Sequence, residues 1–462
     1  MDNQENLKGV KLKKVLQQFI LYVLLFIILI ASYMGLMTLS SLIPASAIQE
    51  NVKQSSETLL QDNEKKVYDL KYKQESIFTF TDALMINTAY SIDNHHPIES
   101  FLLARKNYVP GQTTRQHVDS QYNLGASDKY VNKANGDIYQ TQELYGLMHG
   151  EQIEDSYEYA RYWHGYLTIL RPLLVMGNYE VIRVILLIVT FITIAIMLIF
   201  ICKKINLTTA IAYGIGLLSI SILVVSQSIN EILIFLVAFI STIILLLKKD
   251  KQKNIGLFFF AVGSVSSFID LLTAPLVTLG ITAITYFLLL QKEEKNITIQ
   301  KYLLNMVRIG IAWAIGYGLT WAAKWVITEL FLGRPLISQA IEQAIYRTNV
   351  PTKSNGTVWF TIQDVIAKNL TFLSKPVILV TIAITVSYLI IQAIRNYKKQ
   401  INWKENLKEC VPYCFCLLLP FMWYFVLKQH SYIHAFFTYR ILMIAIISIF
   451  MIATKILKKK EE

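Results

Sequence analysis

Two polar stretches of the sequence contain carboxylates of the kind that serve as a general base. Asp82 lies in Phe78-Thr-Phe-Thr-Asp-Ala-Leu-Met, at the start of a segment with helical periodicity. It is therefore either the N-cap of that helix or a catalytic carboxylate placed at a helix N-terminus. Asp155, in Glu151-Gln-Ile-Glu-Asp-Ser-Tyr-Glu, is the second candidate. A positioned base of this kind contributes about 10²- to 10⁴-fold to the rate of a reaction.

Residues 151–172, around Asp155, are rich in groups that bind phosphate or transfer protons. If they form a helix, one stripe of it is polar and the other is aromatic. The polar stripe includes Glu154, Tyr157, Arg161 and His164. Arginine offers planar, permanently charged donors to phosphate, and histidine binds metals or transfers protons near neutral pH. The alternative is a helix that only anchors the chain at the membrane surface, with Arg171 on a lipid phosphate.

Charged side chains and histidines also lie within or beside long apolar runs, where they are costly without a partner. Lys324 and Arg440 are candidates for contact with a lipid phosphate; the alternatives are snorkelling for Lys324 and interface anchoring for Arg440. Asp270 either caps a turn or, with His430 and His434, holds a divalent cation such as Mg²⁺ or Mn²⁺.

The composition indicates a membrane protein. Only 16% of the 462 residues are charged and 54% are hydrophobic, whereas charged residues make up about a quarter of an average soluble protein. Apolar runs close to the ~20 residues that a span needs recur along the whole chain. They lie near 19–43, 179–202, 207–226, 230–247, 255–272, 275–290, 305–328, 376–394, 410–427 and 437–454. The sequence therefore predicts an all-α polytopic membrane protein with about ten transmembrane helices.

The net charge of +12 is an orientation signal rather than a sign of nucleic-acid binding, because Lys and Arg cluster in short segments between apolar runs. These segments are 1–16, 203–206, 248–254, 292–301, 395–409 and 455–462. The positive-inside rule assigns them to the cytoplasm. We therefore expect a multi-pass protein of the cell membrane with both termini cytoplasmic.

This topology divides the chain into five parts. They are the cytoplasmic N-terminus with the first transmembrane helix (1–44), a large α-rich extracellular loop (45–178), transmembrane helices two to seven (179–332), a second extracellular loop (333–375), and helices eight to ten with a cytoplasmic C-terminus (376–462). The four cysteines lie in spans or at their inner ends, so they offer no extracellular disulfide framework. The sequence has no Gly-rich phosphate loop, and cytosolic nucleotide hydrolysis therefore has no support.

The order of one span, a long outside loop and many closely spaced spans resembles the GT-C class of membrane glycosyltransferases. Residues 164–183 are similar to the juxtamembrane segment of that class, with Gly165-Tyr-Leu, Leu170-Arg-Pro-Leu-Leu and Asn178-Tyr-Glu-Val-Ile-Arg. The resemblance implies transfer of a sugar from a polyprenyl-phosphate carrier to a cell-surface glycan or lipid acceptor at the outer face of the bilayer. Other phrases, such as His430 to Arg440, resemble uncharacterised multi-pass proteins of Gram-positive bacteria.

Two other functions fit the same sequence. A transporter or flippase for a lipid-linked or polymeric glycan needs charged or broken helices near the middle of the membrane. Asp270, Lys324 and Arg440 instead lie toward the outer ends of the predicted spans. If the protein is a non-catalytic assembly partner, we expect the carboxylates of the outside segments to lie far apart in space.

Overall fold

The computed structural model describes residues 2–64, 79–109, 136–153, 155–350, 358–373, 375–396 and 401–457. The first part of the chain forms one long apolar helix and a polar region of short elements. These are α1 (Asp2–Ser41), α2 (Ala45–Glu64), α3 (Thr79–Tyr90), α4 (Pro97–Leu103), β1 (Arg105–Tyr108), α5 (Gly136–Met148), β2 (Asp155–Glu158) and α6 (Leu167–Met176). The described part of the segment between α1 and residue 178 therefore contains five helices and a two-stranded sheet.

The rest of the described chain is helical. Its elements are α7 (Tyr179–Lys204), α8 (Leu207–Ser219), α9 (Ile222–Val225), α10 (Ile229–Leu247), α11 (Ile255–Ile269), α12 (Leu276–Glu293), α13 (Ile299–Leu332), α14 (Leu336–Thr348), α15 (Ile362–Thr371), α16 (Lys375–Asn396), α17 (Trp403–Val426), α18 (Lys428–Ile433), α19 (Ala435–Thr438), a 3₁₀ turn (Tyr439–Ile441) and α20 (Leu442–Ile456). Polar N-caps start several of these apolar helices, because an Asn or Thr oxygen accepts an otherwise unpaired backbone N–H. Asn178 accepts from Val181 N, and Thr298 accepts from Lys301 N.

Eight described helical segments, rather than ten, are long and apolar enough to cross a membrane. They confirm an all-α polytopic membrane protein. The two other predicted spans are shorter helices in the structure. Residues 207–226 are divided into α8 and α9 by Ser221, whose φ of 54° is left-handed. Residues 255–272 give only the 15-residue α11, because the chain leaves the helix at Asp270.

The polar region packs on one end of the helical bundle, which we call the loop face. Phe268 O, near the end of α11, accepts from Gly165 N on this face. At the opposite end, which we call the lysine face, Lys292 Nζ donates to Lys204 O. At the same end, Gln252 Nε2 donates a hydrogen bond to Glu294 Oε1. The predicted inside segments 203–206, 248–254 and 292–301 therefore share one face of the bundle.

Two glycines let α11 and α13 pack backbone against backbone. A Cβ on Gly263 would overlap the carbonyl oxygen of Trp313, and a Cβ on Gly316 would overlap that of Phe260. Close approach at small residues is a common way for apolar helices to associate in lipid, where water supplies no hydrophobic driving force. This contact fixes α13, whose loop-face end carries much of the candidate site.

We expect Gly263→Ala and Gly316→Ala each to destabilise the protein by about 1–3 kcal/mol, because the added methyl group overpacks a rigid backbone contact. Gly318→Ala is the matched control, since no atom lies within 4 Å of its added Cβ. Thermal unfolding of detergent-purified variants, followed by size-exclusion chromatography, measures the difference. Equal melting temperatures for all three variants would contradict the close contact.

Candidate functional site

Asp82 is fully buried in the first turn of α3, but the groups that it binds belong to another helix. Its Oδ1 accepts from Ser228 Oγ at 3.0 Å and from Asn230 N at 3.1 Å, at the N-terminus of α10. The partial positive charge of a helix N-terminus stabilises a carboxylate there. Asp82 therefore attaches the loop region to the bundle, and no part of its side chain is open to a substrate.

Burial raises the pKa of Asp82 to about 7, although hydrogen bonds from Tyr179, Asn230 and Ser228 and the charge of Arg183 act in the opposite direction. Arg183, in α7, is itself paired with Asp62 of α2 and lies 4.8 Å from the Tyr179 ring centre. The result is a buried polar cluster that joins α2, α3, α7 and α10.

The prediction of one helix over residues 151–172 is wrong. Residues 155–158 form β2, which pairs antiparallel with β1, and the next helix begins only at Leu167. The predicted polar stripe therefore does not exist. Local periodicity missed this because β2 pairs with a strand about 50 residues away, and its tyrosines favour a strand as much as a helix.

The structure does not describe the side chains of two predicted site residues in this segment. Glu154 lies outside the described residues. Asp155 is described through its backbone, which pairs with Tyr108 at one end of the sheet. Tyr157 pairs with Lys106 on β1, and its ring lies 6.2 Å from that of Tyr159.

His164 is a buried part of the turn between β2 and α6. Its backbone is left-handed, with φ of 55°. Burial lowers its pKa to about 3, so the imidazole is neutral. Nε2 lies 2.6 Å from Tyr159 O and Nδ1 lies 3.1 Å from the Tyr166 hydroxyl. Because a carbonyl oxygen can only accept, Nε2 carries the proton and Nδ1 accepts from the hydroxyl. Both nitrogens are used to hold the turn.

Arg161, in contrast, lines a small pocket on the loop face. The other lining residues come from the end of α4, from β2 and the turn after it, and from α13, α14 and the turn between them; they are Leu103, Glu158, Ala160, Thr328, Arg334, Leu336 and Gln339. We call this pocket the arginine pocket. Trp321 and Trp325 of α13 fix one wall, since their Nε1 atoms donate to Arg161 O at 2.8 and 3.0 Å.

Glu158 is the carboxylate that lines the arginine pocket among the described residues. Arg105 Nη2 lies 3.2 Å from its Oε1, and Arg334 contacts both of its oxygens. Arg334 is about half exposed, with 49% of its side chain accessible. Two arginines line the pocket and a third contacts its carboxylate, so the pocket suits an anion.

Lys324 does not snorkel to the membrane surface, because it is fully buried. Its Nζ donates to Leu102 O at 2.8 Å and to Phe101 O at 3.3 Å, at the C-terminus of α4. A cation is stabilised there by the unpaired carbonyls and by the helix dipole. Arg171, predicted on a lipid phosphate, is also fully buried and donates to Ser40, Ile43 and Ala89 carbonyls.

Asp270, His430 and His434 do lie in one region of the loop face. Asp270 caps its own turn, where Thr273 N lies 3.0 Å from Oδ2. His430 Nε2 bonds Leu272 O at 2.8 Å, and its Nδ1 bonds Arg347 Nη1 at 2.6 Å. Since both nitrogens of His430 are used, this arrangement fits the turn cap and not the alternative of a divalent cation. Among the described residues, no group of three or more His, Cys, Asp or Glu is placed to hold a metal ion.

Arg440 forms a buried ion pair with Glu231, at 2.6 Å, which joins the start of α10 to the 3₁₀ turn before α20. It is therefore not directed to a lipid phosphate in this structure. Sequence reasoning missed Glu158, Glu231 and Arg334. The signal for Glu231 was present, because a carboxylate inside an apolar run requires a cation such as Arg440.

The predicted site residues thus separate into two groups. Asp82, His164, Lys324, Asp270, His430 and Arg440 each bind a neighbouring helix end, turn or opposite charge. Arg161 lines the arginine pocket with Glu158 and Arg334. The fold defines an α-helical multi-pass membrane protein with an anion-compatible pocket on its loop face. Comparison with protein-family models, curated proteins and solved structures gives no match.

The buried carboxyl of Asp82 makes stability depend on pH. An unfolded aspartate has a pKa of about 3.9, so the folded state retains the proton to higher pH and loses stability as the pH rises from about 4 to about 7. Asp82→Asn keeps an oxygen that accepts from Ser228 and Asn230 but removes this titration. We expect its melting temperature to rise relative to that of wild type between pH 5 and pH 8. A difference that stays constant over this range would contradict the buried titration.

Proposed function

We propose that the protein is an integral membrane glycosyltransferase. In this proposal it takes a sugar from a polyprenyl-phosphate carrier and transfers it to a cell-surface glycan or lipid acceptor at the outer face of the membrane. The observation that carries the proposal is the arginine pocket, where Arg161 and Arg334 face a common space beside the tryptophan-rich end of α13. The order of spans and loop supports it independently.

The chemistry of the pocket suits a phosphate near the bilayer surface. Arginine forms short, bidentate, charge-assisted hydrogen bonds with phosphate oxygens. Tryptophans are enriched at the level of the lipid headgroups, and Trp321 and Trp325 hold the backbone of Arg161 there. The lysine face is the cytoplasmic side in this proposal, which makes the loop face extracellular.

A transfer step can be written with the residues of the pocket. The carrier phosphate competes with Glu158 for Arg334 and so frees a carboxylate oxygen. That oxygen takes the proton of the acceptor hydroxyl as the hydroxyl oxygen bonds to the anomeric carbon. The bond from that carbon to the carrier oxygen breaks, and its electron pair stays on the phosphate, which Arg161 and Arg334 stabilise. Glu158 thus replaces Asp82 and Asp155 as the proposed base.

A second function, a non-catalytic partner that binds a lipid-linked glycan during assembly, is favoured by one observation. Among the predicted site residues, Asp82, Lys324, Asp270 and Arg440 are held by structural contacts. A binding protein needs the arginine pocket but no base. The two functions differ in whether a new glycosidic bond forms.

Purified protein in nanodiscs, given a polyprenyl-phosphate sugar and a glycan acceptor, tests the assignment. We expect Arg334→Gln to reduce transfer by about 10- to 100-fold, because it removes a charge-assisted contact worth about 1.5–3 kcal/mol. Glu158→Gln should lower the rate by about 10²-fold or more while carrier binding persists.

Arg395→Gln is the matched control, since it removes an exposed arginine near the end of α16, outside the pocket. Carrier binding without transfer by the wild type would establish the assembly partner instead. Movement of the carrier across the bilayer without a new bond would establish a flippase. Carrier binding that is unaffected by Arg334→Gln would show that the arginine pocket is not the carrier site.

A further inference from the structure

Helix α14 presents three different faces, which is unusual for a helix only 13 residues long. Leu336 and Ala340 are buried, 5% and 3% exposed, against the rest of the protein. On the adjacent face, Ile337, Ile341 and Ile345 recur every four residues and are exposed. Ser338 and Glu342 form a third, exposed polar face. A helix with one packed, one apolar and one polar face fits the boundary between lipid and water.

The exposed isoleucines extend an apolar surface that the transmembrane helix α13 has already begun. Leu330 and Phe331, in the last turn of α13, are 79% and 63% exposed. Gly333, with φ of 64°, then ends α13 in the left-handed conformation, and the chain turns into α14. Because this apolar surface is continuous with that of a transmembrane helix, lipid is the occupant that matches it.

The packed face of α14 holds the helix against the loop face. Arg347, near its C-terminus, contacts His430 of α18 at 2.6 Å. Leu336 and Gln339, near its N-terminus, line the arginine pocket together with Arg334. One side of the pocket is therefore built from the helix that carries the exposed isoleucines.

We propose that α14 lies in the headgroup layer with its isoleucine face in the acyl chains, so that the arginine pocket opens sideways to the bilayer. The pocket then takes the phosphate of a membrane-anchored lipid and not a phosphate ester from bulk water. This inference rests on the proposed function for the identity of the anion. The placement of α14 itself rests only on its three faces and on their continuity with α13.

Fluorescent reporters on the two exposed faces test the placement. The accessible cysteines Cys202 and Cys414 are first replaced by Ser, while the buried Cys410 and Cys416 stay unlabelled under native conditions. Ile341→Cys and Glu342→Cys are then labelled with the environment-sensitive dye NBD in nanodiscs. Ile188→Cys, on an exposed position of α7, is the lipid-facing reference.

We expect doxyl-labelled phospholipid to quench the dye at position 341 as strongly as at 188, and several-fold more than at 342. Iodide in the buffer should quench the dye at 342 several-fold more than at 341. The placement is wrong if iodide quenches positions 341 and 342 equally. Circular dichroism and elution volume show whether each labelled variant is folded, and Gln343→Cys repeats the comparison on a less exposed face if one variant fails.

A competition experiment tests the source of the phosphate. We expect long-chain polyprenyl phosphate in the nanodisc to bind and Arg334→Gln to weaken that binding at least several-fold, whereas inorganic phosphate and a short, water-soluble isoprenyl phosphate compete poorly. Equal competition by the soluble phosphates overturns sideways access, even if transfer is observed. If lipid quenches the dye at position 341 but Arg334→Gln does not change the binding of polyprenyl phosphate, the placement of α14 is supported and the proposed function is refuted.

Discussion

Buried charges at helix ends are the constraint on which this structure depends. A helix that ends inside the protein leaves unpaired N–H or C=O groups, and in a membrane protein water cannot satisfy them. Asp82 binds the N-terminus of α10, Lys324 binds the C-terminus of α4, and Arg171 binds carbonyls at the ends of α1 and α3. Each charge has the sign that its helix end favours. Together these contacts fix the loop region on the bundle.

This use of charge separates the residues that hold helix ends from those that line the arginine pocket. Removal of one partner from a buried polar contact leaves the other unsatisfied, so these side chains cannot turn to a substrate without loss of stability. Arg161, Arg334 and Glu158 instead line the arginine pocket, at the junction of β2, α13 and α14. Pairing with β1 and the contacts of Trp321 and Trp325 with Arg161 place the strand that carries Glu158 beside the end of α13. The proposed phosphate site depends on that placement.

The sequence was sufficient for the membrane class and for most spans, because long apolar runs have few alternatives to a transmembrane helix. It also located Arg161. It was insufficient where contacts join distant residues. Asp82 was interpreted as the N-cap of its own helix or as a catalytic carboxylate, whereas the helix that it binds begins almost 150 residues later. The segment before Leu167 was assigned to a helix because strand pairing with residues 105–108 leaves no local periodicity. Arg334 lay in a predicted loop, where a single arginine carries no signal of its own.

An experimental structure in nanodiscs with polyprenyl phosphate tests whether the arginine pocket holds the phosphate of a lipid-linked sugar. We expect phosphate density about 2.7–2.9 Å from the guanidinium nitrogens of Arg161 and Arg334, with the lipid chain leaving past α14. Phosphate bound elsewhere on the loop face, beside Arg347 and His430 for example, with the arginine pocket empty, would contradict it.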